Sequence, residues 1–153
     1  GKSTLLSKLT NAHPKIADYP FTTLSPNLGV LKLEERTLVL ADIPGLIENA
    51  HKGAGLGLSF LKHIEKTKMI LFVLDASDPQ CPDSYKILLH ELESYDASLL
   101  KKKSIVLLNK TDLLTKKDLT ALTKKIKRKV VPISALTGEG LDAVLKTLEK
   151  EVD

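Results

Sequence analysis

Apolar residues along the chain recur with the spacings of alternating helices and strands. The leucines within residues 5–9 share one side of a helix that begins at residues 1–3. Continuous apolar runs at 69–75, 104–109 and 129–134 are typical of strands buried on both faces. Such strands, separated by helices, predict an α/β fold with a mostly parallel sheet. The remaining helices are predicted at about 58–64, 84–95 and 116–127 and around Leu141, Val144, Leu145 and Leu148.

The first third of the chain departs from this alternation. Three prolines break the stretch 14–27 and predict a long polar loop. Two short apolar segments follow, at 29–33 and 37–42, and the three charged residues between them predict an antiparallel hairpin with a charged tip. The whole chain, residues 1–153, is predicted to form one domain whose sheet carries one antiparallel edge strand.

Polar residues stand where the predicted strands end. Ligands of such sheets bind at the carboxyl ends of the strands, so residues at this edge are candidates for a site. The four positions are Asp42, Asp75, the pair Asn109-Lys110 and the pair Ser134-Ala135. All of them except Asp75 belong to short motifs with a specific chemistry.

Gly1, Lys2 and Ser3 match the last three positions of the phosphate-binding loop G-x-x-x-x-G-K-[ST]. In that loop, backbone N–H groups cradle the phosphates, the lysine reaches the β/γ oxygens and the hydroxyl binds Mg²⁺. A helix that starts here also presents its N-terminus to a phosphate. Because the earlier loop positions are not in the chain, we expect a domain that is truncated at its N-terminus.

The segment D-I-P-G, from Asp42 to Gly45, closes the second hairpin strand. Asp42 can hold a water of a Mg²⁺ ion, and the N–H of Gly45 can approach a γ-phosphate oxygen closely. Taken alone, an aspartate before Pro-Gly is also a common turn. In the long loop upstream, Thr23 rather than Thr22 is the predicted ligand of Mg²⁺, and the alternative is that both are ordinary loop hydroxyls.

The segment N-K-T-D at 109–112 has the chemistry of guanine recognition. A carboxylate that accepts two hydrogen bonds matches the adjacent N1–H and 2-amino donors of guanine, whereas adenine would leave the acceptor unpaired. Asp112 is therefore the predicted base reader, with the stem of Lys110 over the base plane and Asn109 tying neighbouring loops together. A solvent-facing turn is the alternative. In the tripeptide Ser134–Leu136, the backbone N–H of Ala135 is the predicted donor to guanine O6.

These motifs, in this order, resemble those of the translation-factor-related class of P-loop GTPases. The segments IADYPFTTLSPNLGV and DIPGLIENAHKGAGLGLSFLKHIEKT closely resemble the Obg (CgtA) family of ribosome-associated GTPases, and related groups of the class fit less well. The resemblance covers essentially the whole chain. It implies a P-loop NTPase-type three-layer sandwich and a molecular switch that hydrolyses GTP to GDP and phosphate. It further implies a role in assembly of the large ribosomal subunit.

Motifs and resemblance together assign three groups of residues. The residues expected to act in catalysis are Lys2, Thr23 and Gly45. Nucleotide contacts are expected from Gly1, Lys2 on the β/γ-phosphates, Ser3, Thr4 near the α-phosphate, Asn109, Lys110, Asp112, Ser134, Ala135 and Leu136. The Mg²⁺ site is expected to comprise Ser3, Thr23 and Asp42.

Leu46 follows Gly45, at the position where Ras-like GTPases have a glutamine that orients the attacking water. A leucine side chain cannot hydrogen-bond to water, and the nearby Glu48 and His51 are more simply interpreted as surface residues. The resemblance implies help from a monovalent cation, K⁺, held partly by an asparagine of the upstream half of the phosphate loop. We therefore expect slow hydrolysis that K⁺ stimulates in the intact protein.

The resemblance also places a strand before the phosphate loop, in the centre of the sheet between 37–42 and 69–75. Without that strand, two buried strands lose a hydrogen-bonding neighbour. The expectation is that this chain is less stable than the intact domain and binds GTP weakly.

Composition describes the setting of the protein more than its function. Hydrophobic residues make up 42% and charged residues 27%, and the formal net charge is +4, as in an ordinary soluble globule. We expect a cytoplasmic protein, because we find neither a charged-then-apolar leader pattern before a small-residue cleavage site nor an apolar run long enough for a bilayer. The single cysteine, Cys81, and four scattered histidines make a disulfide or structural zinc improbable. We expect a monomer.

Two other functions remain open from the sequence. Lysine clusters at 101–103 and 124–129 are either a solvated surface or a site where the fragment docks on ribosomal RNA without turnover. The low aromatic content of 4% argues against a base-stacking RNA platform. An ATP-using P-loop enzyme is the third hypothesis, and Asp112 opposes it.

Overall fold

A computed structural model describes residues 2–10, 15–16, 27–42 and 67–151 of the chain. Its helices are α1 (Lys2–Thr10), α2 (Cys81–Tyr95), α3 (Lys116–Ile126) and α4 (Leu141–Glu151). Its strands are β1 (Lys15–Ile16), β2 (Asn27–Lys32), β3 (Thr37–Asp42), β4 (Met69–Asp75), β5 (Lys103–Asn109) and β6 (Val130–Pro132). Short 3₁₀ turns at Ala97–Lys101 and Thr111–Leu113 flank β5. The helix expected at about 58–64 lies outside the described residues.

The second half of the chain forms a parallel sheet of order β4-β5-β6. The β4 and β5 strands pair in full register, from Met69 opposite Lys103 to Asp75 opposite Asn109, and Val106 pairs with Val130 of β6. Every residue from Ile105 to Asn109 is buried, as expected for a central strand with both faces covered. The predicted α/β fold with a parallel sheet is confirmed.

The predicted hairpin is an antiparallel pair, β2 and β3, in which Asn27 pairs with Asp42 and Lys32 with Thr37. A hydrogen bond of 2.8 Å from Leu33 N to Arg36 O closes its charged turn. The structure adds the two-residue strand β1, which pairs with the start of β2 inside the stretch predicted as a loop. Two residues are too few to show an alternating pattern, so periodicity could not have predicted β1.

Core residues form two layers on opposite faces of the parallel sheet. Along β5, Val106 and Leu108 point toward α2 and α3, whereas Ile105 and Leu107 point toward α1 and α4. Phe72 of β4 packs edge-on against Tyr85 of α2, with ring centroids 5.4 Å apart. The layer on the α1 and α4 side also takes in residues of β2 and β3, so it joins both sheets; its buried members are Leu5, Leu9, Leu31, Ile105, Leu107, Ile133, Ala135, Val144 and Leu148.

Helix α2 begins at Cys81, three residues before the predicted start. Pro82 lies in the first turn, where its missing N–H has no intrahelical partner to lose. Cys81 is buried, and its burial raises the pKa of the thiol to about 11, with smaller contributions from the negative charges of Asp75 and Asp78. The thiol therefore stays protonated and serves as a core residue, because the thiolate is the reactive form of cysteine.

Within the described ranges, no helix is both long enough and apolar enough to cross a membrane.

Candidate functional site

The carboxyl ends of the three parallel strands are tied together by backbone hydrogen bonds. Ala76 N donates to Asn109 O over 2.9 Å, which joins the residue after β4 to the last residue of β5. On the other side, Ile133 N donates to Leu108 O over 2.8 Å and continues the pairing of β5 and β6 past the end of β6. The loops after β4, β5 and β6 therefore leave the sheet side by side, as predicted for a ligand-binding edge.

Asn109 links the loops after β5 and β6. The residue is 4% exposed, and its Oδ1 accepts a 3.0 Å hydrogen bond from Ala135 N. This is the tie between neighbouring loops that the sequence predicts for the asparagine. The same N–H is the predicted donor to guanine O6, so that contact, which stays a prediction, requires the bond to Asn109 to be shared or exchanged.

Asp112 is held by the loop that follows β6. The hydroxyl of Ser134, itself fully buried, donates to Asp112 Oδ1 over 2.8 Å. Next to it, Thr111 donates from both N and Oγ1 to Ile133 O, at 3.2 and 2.8 Å. Asp112 is exposed, and in the described part of the chain no group bonds its second oxygen. The arrangement fixes the direction of the carboxylate and leaves acceptor capacity toward solvent.

Lys110 lies between Asn109 and Asp112 in the sequence and has an unusual backbone conformation. Its φ of +68° is in the left-handed region, which is uncommon for a residue other than glycine. Its Nζ lies 3.0 Å from Asp75 Oδ2 at the end of β4, and the Lys110 and Asp75 side chains are 45% and 41% exposed. Hydrogen bonds on both sides of Lys110, donated by Ala135 N to Asn109 Oδ1 and by Thr111 to Ile133 O, hold the strained residue in place.

Asp75 is in turn held by Ser77, whose N donates to Asp75 Oδ1 over 2.9 Å and whose hydroxyl donates to the same oxygen. Partial burial raises the pKa of Asp75, but the hydrogen bonds from Ser77 and the ammonium of Lys110 outweigh it and lower the pKa below its ordinary value. Asp75 is therefore ionised at neutral pH and can act as the counter-ion of Lys110.

Residues 134–140 form a tight turn in the loop after β6. Ser134 N donates to Glu139 O over 2.9 Å, and Gly138 N donates to Ser134 O over 2.8 Å. Gly138 and Gly140 have φ values of +87° and +82°, which glycine adopts without steric cost. Leu136, a predicted nucleotide contact, is 74% exposed at the tip of this turn.

Residues 1–110 match the family described as "50S ribosome-binding GTPase". The chain belongs to this family. GTPase Obg of Aquifex aeolicus is 53% identical over 161 aligned positions, which cover 100% of this chain and 47% of that protein. GTPase Obg of Brachyspira hyodysenteriae is 57% identical over 131 residues, covering 85% of this chain and 19% of that protein. The resemblance to Obg is confirmed, and the chain spans less than half the length of both relatives.

Solved structures agree with this assignment of the GTPase fold. Era of Aquifex aeolicus, a variant bound to GDP·AlF₄⁻, superposes with a TM-score of 0.72 at 28% identity, covering 100% of this chain and 53% of that one. The G domain of the FeoB iron transporter of T. maritima gives a TM-score of 0.75 at 25% identity, covering 98% and 90%. The expected P-loop type of fold is thereby confirmed for this GTPase chain.

The residues predicted to contact the phosphates and Mg²⁺ are only partly described. Lys2 and Ser3 are the first residues of α1 and Asp42 is the last of β3, so α1 begins at the phosphate-loop sequence as predicted. The side chains of these three residues are not among the described atoms, and Gly1, Thr23 and Gly45 lie outside the described residues. Hydroxyl and carboxylate oxygens are ligands that Mg²⁺ prefers, so the donor set fits that ion. Thr4 is exposed in the first turn of α1.

Hydrogen bonds and the sheet register bring Asn109, Lys110, Asp112, Ser134 and Ala135 together at one edge of the sheet, and their contacts with a nucleotide base stay a prediction. Sequence reasoning missed the part played by Asp75 and Ser77, which reach Lys110 from the end of β4. The sequence did place Asp75 at the end of a predicted strand, and that position was the one signal of its role, because Asp75 belongs to none of the motifs.

Proposed function

We propose that this protein binds guanine nucleotides with Mg²⁺ and hydrolyses GTP to GDP and phosphate as a molecular switch. The observation that carries the proposal is the Asp112 carboxylate, held by the hydroxyl of Ser134 at the carboxyl edge of a parallel sheet. Membership of a GTPase family supports the same conclusion.

Guanine recognition follows from the acceptors that Asp112 offers. Guanine presents N1–H and a 2-amino group side by side, and a carboxylate accepts from both. An adenine in the same place offers no such pair, so a charged acceptor loses its partners at a cost of about 1–3 kcal/mol or more. The stem of Lys110 covers one face of the base, and Ala135 N–H donates to O6.

The phosphate side of the proposed site comes from α1, from the segment before β2 that carries Thr23, and from the end of β3 with the segment that follows it. Lysine ammonium and helix N–H groups attract the β- and γ-phosphates, and hard oxygen ligands suit Mg²⁺. The Mg²⁺ ion, when bound, neutralises charge that develops on the phosphates. The proposed contacts are Lys2 with the β/γ-phosphates, Thr4 with the α-phosphate, Gly45 with the γ-phosphate, and Ser3, Thr23 and Asp42 with the metal or its water.

Hydrolysis is proposed to be slow because Leu46 cannot hydrogen-bond to the attacking water. A K⁺ ion, when bound, would supply part of the missing stabilisation, as the resemblance to Obg implies. Hydrolysis then releases the Thr23 segment from the γ-phosphate, which is the switching event.

A competition assay tests the base assignment. A fluorescent GDP analogue bound to the full-length protein should be displaced by GTP and GDP at micromolar concentrations. ATP is expected to need a concentration about 100-fold higher or more, since it leaves the Asp112 carboxylate unpaired. Displacement by ATP and GTP at equal concentrations would contradict the proposal and favour an ATP-using P-loop enzyme.

The proposed setting of the switch is assembly of the large ribosomal subunit in the cytoplasm, with the protein acting as a monomer. Its support is the description of the matching family as ribosome-binding. The Obg relatives are longer than this chain, so the contacts of a whole protein can include parts that the chain does not contain.

Docking on RNA is a second candidate function, and the position of the basic residues favours it. Parallel strands begin at one edge of the sheet, and basic residues precede all three described parallel strands: Lys68 before β4, Lys101 and Lys102 before β5, and Lys127–Lys129 before β6. Lys103 Nζ donates to Glu151 O over 3.0 Å, so α4 also ends at this edge. A basic edge opposite the nucleotide can hold a phosphate backbone while the site remains accessible.

The salt dependence of RNA binding tests the second candidate. A variant carrying Lys101→Gln and Lys129→Gln should flatten the plot of log K against log [salt] by about 0.9 for each phosphate contact that is lost. The matched control replaces Lys116 and Lys117 at the opposite edge and should leave the slope unchanged. Equal slopes for both variants would exclude the basic edge as an RNA contact.

A further inference from the structure

The end of β4 carries a charged pair that the proposed nucleotide contacts do not explain. Asp75 Oδ2 lies 3.0 Å from Lys110 Nζ, across 35 positions of sequence. The two partners come from different parts of the sheet, because Asp75 ends β4 and Lys110 follows β5. The pair therefore depends on the parallel register that puts Asp75 opposite Asn109.

We propose that Asp75, anchored by Ser77, is a positioning residue for Lys110 and so sets how long a guanine nucleotide stays bound. The inference rests on the proposed function, because it assumes that the stem of Lys110 lies over the base. Asp75 itself touches no part of the nucleotide in this proposal. It acts by restricting the directions that the lysine side chain can take.

Three contacts show that the end of β4 is organised around the Asn109-Lys110 pair. Ser77 fixes one oxygen of Asp75 with two hydrogen bonds, which turns the other oxygen toward Lys110. Ala76 N donates to Asn109 O, so the backbone of the pair is held by the same segment. With backbone and ammonium both held from one side, the aliphatic stem of Lys110 spans a defined path between them.

Pre-organisation of this kind should favour binding because a lysine that is already ordered loses less side-chain entropy when the base arrives. The contact is with the base side of the nucleotide, so GDP and GTP should benefit equally. The pair is partly exposed, and such pairs contribute little and are screened by salt. The expected effect is therefore small, equal for both nucleotides and dependent on ionic strength.

Measurement of nucleotide release from the full-length protein tests the proposal. In Asp75→Asn, a fluorescent GDP analogue should dissociate about threefold faster than from the unaltered protein at low salt, and the GTP analogue should show the same ratio. In about 1 M salt, where charges are screened beyond about 3 Å, the two proteins should release nucleotide at closer rates. Asp75→Glu keeps the charge, so it should release nucleotide at a rate between those of Asp75→Asn and the unaltered protein.

The matched control is Asp78→Asn, which removes a charge from the same segment. Asp78 Oδ1 accepts a 2.8 Å hydrogen bond from Gln80 N, which an asparagine also accepts, and its release rate should equal that of the unaltered protein. Unchanged release in Asp75→Asn, or an equal change in Asp78→Asn, would overturn the positioning role while the proposed function stands. If the unaltered protein bound no guanine nucleotide, both would be overturned.

Discussion

Replacing Asp112 with asparagine should weaken binding of GDP and GTP about a thousandfold, or about 4 kcal/mol, and create affinity for xanthosine nucleotides. The carboxylate loses one of its two acceptors, and the amide NH₂ that replaces it faces the 2-amino group of guanine, donor against donor. Xanthine carries an oxygen at that position and keeps N1–H, so the asparagine amide can donate to the first and accept from the second. The Ser134 hydroxyl, 2.8 Å from Oδ1, can still hold the amide oxygen in the same direction.

Competition by GDP and by xanthosine diphosphate for the same fluorescent nucleotide measures this exchange of specificity. Asp118→Asn is the matched control, since Asp118 is an exposed carboxylate in the first turn of α3 and has the same change of charge. That variant should keep the preference for GDP. An Asp112→Asn protein that still prefers GDP would show that Asp112 does not read the base.

The sequence predicted the parallel half of the fold because its elements are long and strongly periodic. The apolar runs of β4 and β5 have no polar interruption, and this pattern is typical of strands that are buried on both faces. The rule that ligands bind at the carboxyl edge then brought Asn109, Asp112 and Ser134 together before any contact was known. Element boundaries were less certain, as the early start of α2 at Cys81 shows.

The partners of contacts between loops could not be predicted from sequence patterns. The sequence predicts that Asn109 ties neighbouring loops together, but nothing in the local sequence indicates that its partner is Ala135 N, 26 positions away. The left-handed backbone of Lys110 is similarly a tertiary effect, because lysine has no intrinsic preference for positive φ. It arises from bonds to Asn109 and Thr111 that exist only after the strands have paired.

A substitution in the turn before α4 should show how strongly the site depends on its support. Gly140→Ala is expected to lower the free energy of unfolding by about 3 kcal/mol, measured by urea denaturation. The added Cβ would lie 2.3 Å from Pro132 O and 3.1 Å from Ile133 Cα, and φ at this position is +82°. Both neighbours are backbone atoms that lead directly into Ser134, so relief of the clash should displace the residue that holds Asp112.

Gly138→Ala separates the two causes of this effect. Gly138 has a similar φ of +87°, but a Cβ there meets nothing within 4 Å. It should therefore cost only the backbone strain of about 1–2 kcal/mol. The larger loss in Gly140→Ala should be accompanied by weaker guanine-nucleotide binding, because Ser134 moves with Pro132 and Ile133. Equal destabilisation by both variants would mean that strain alone matters, and that the close approach of Gly140 to the end of β6 does not help to hold Ser134 in place.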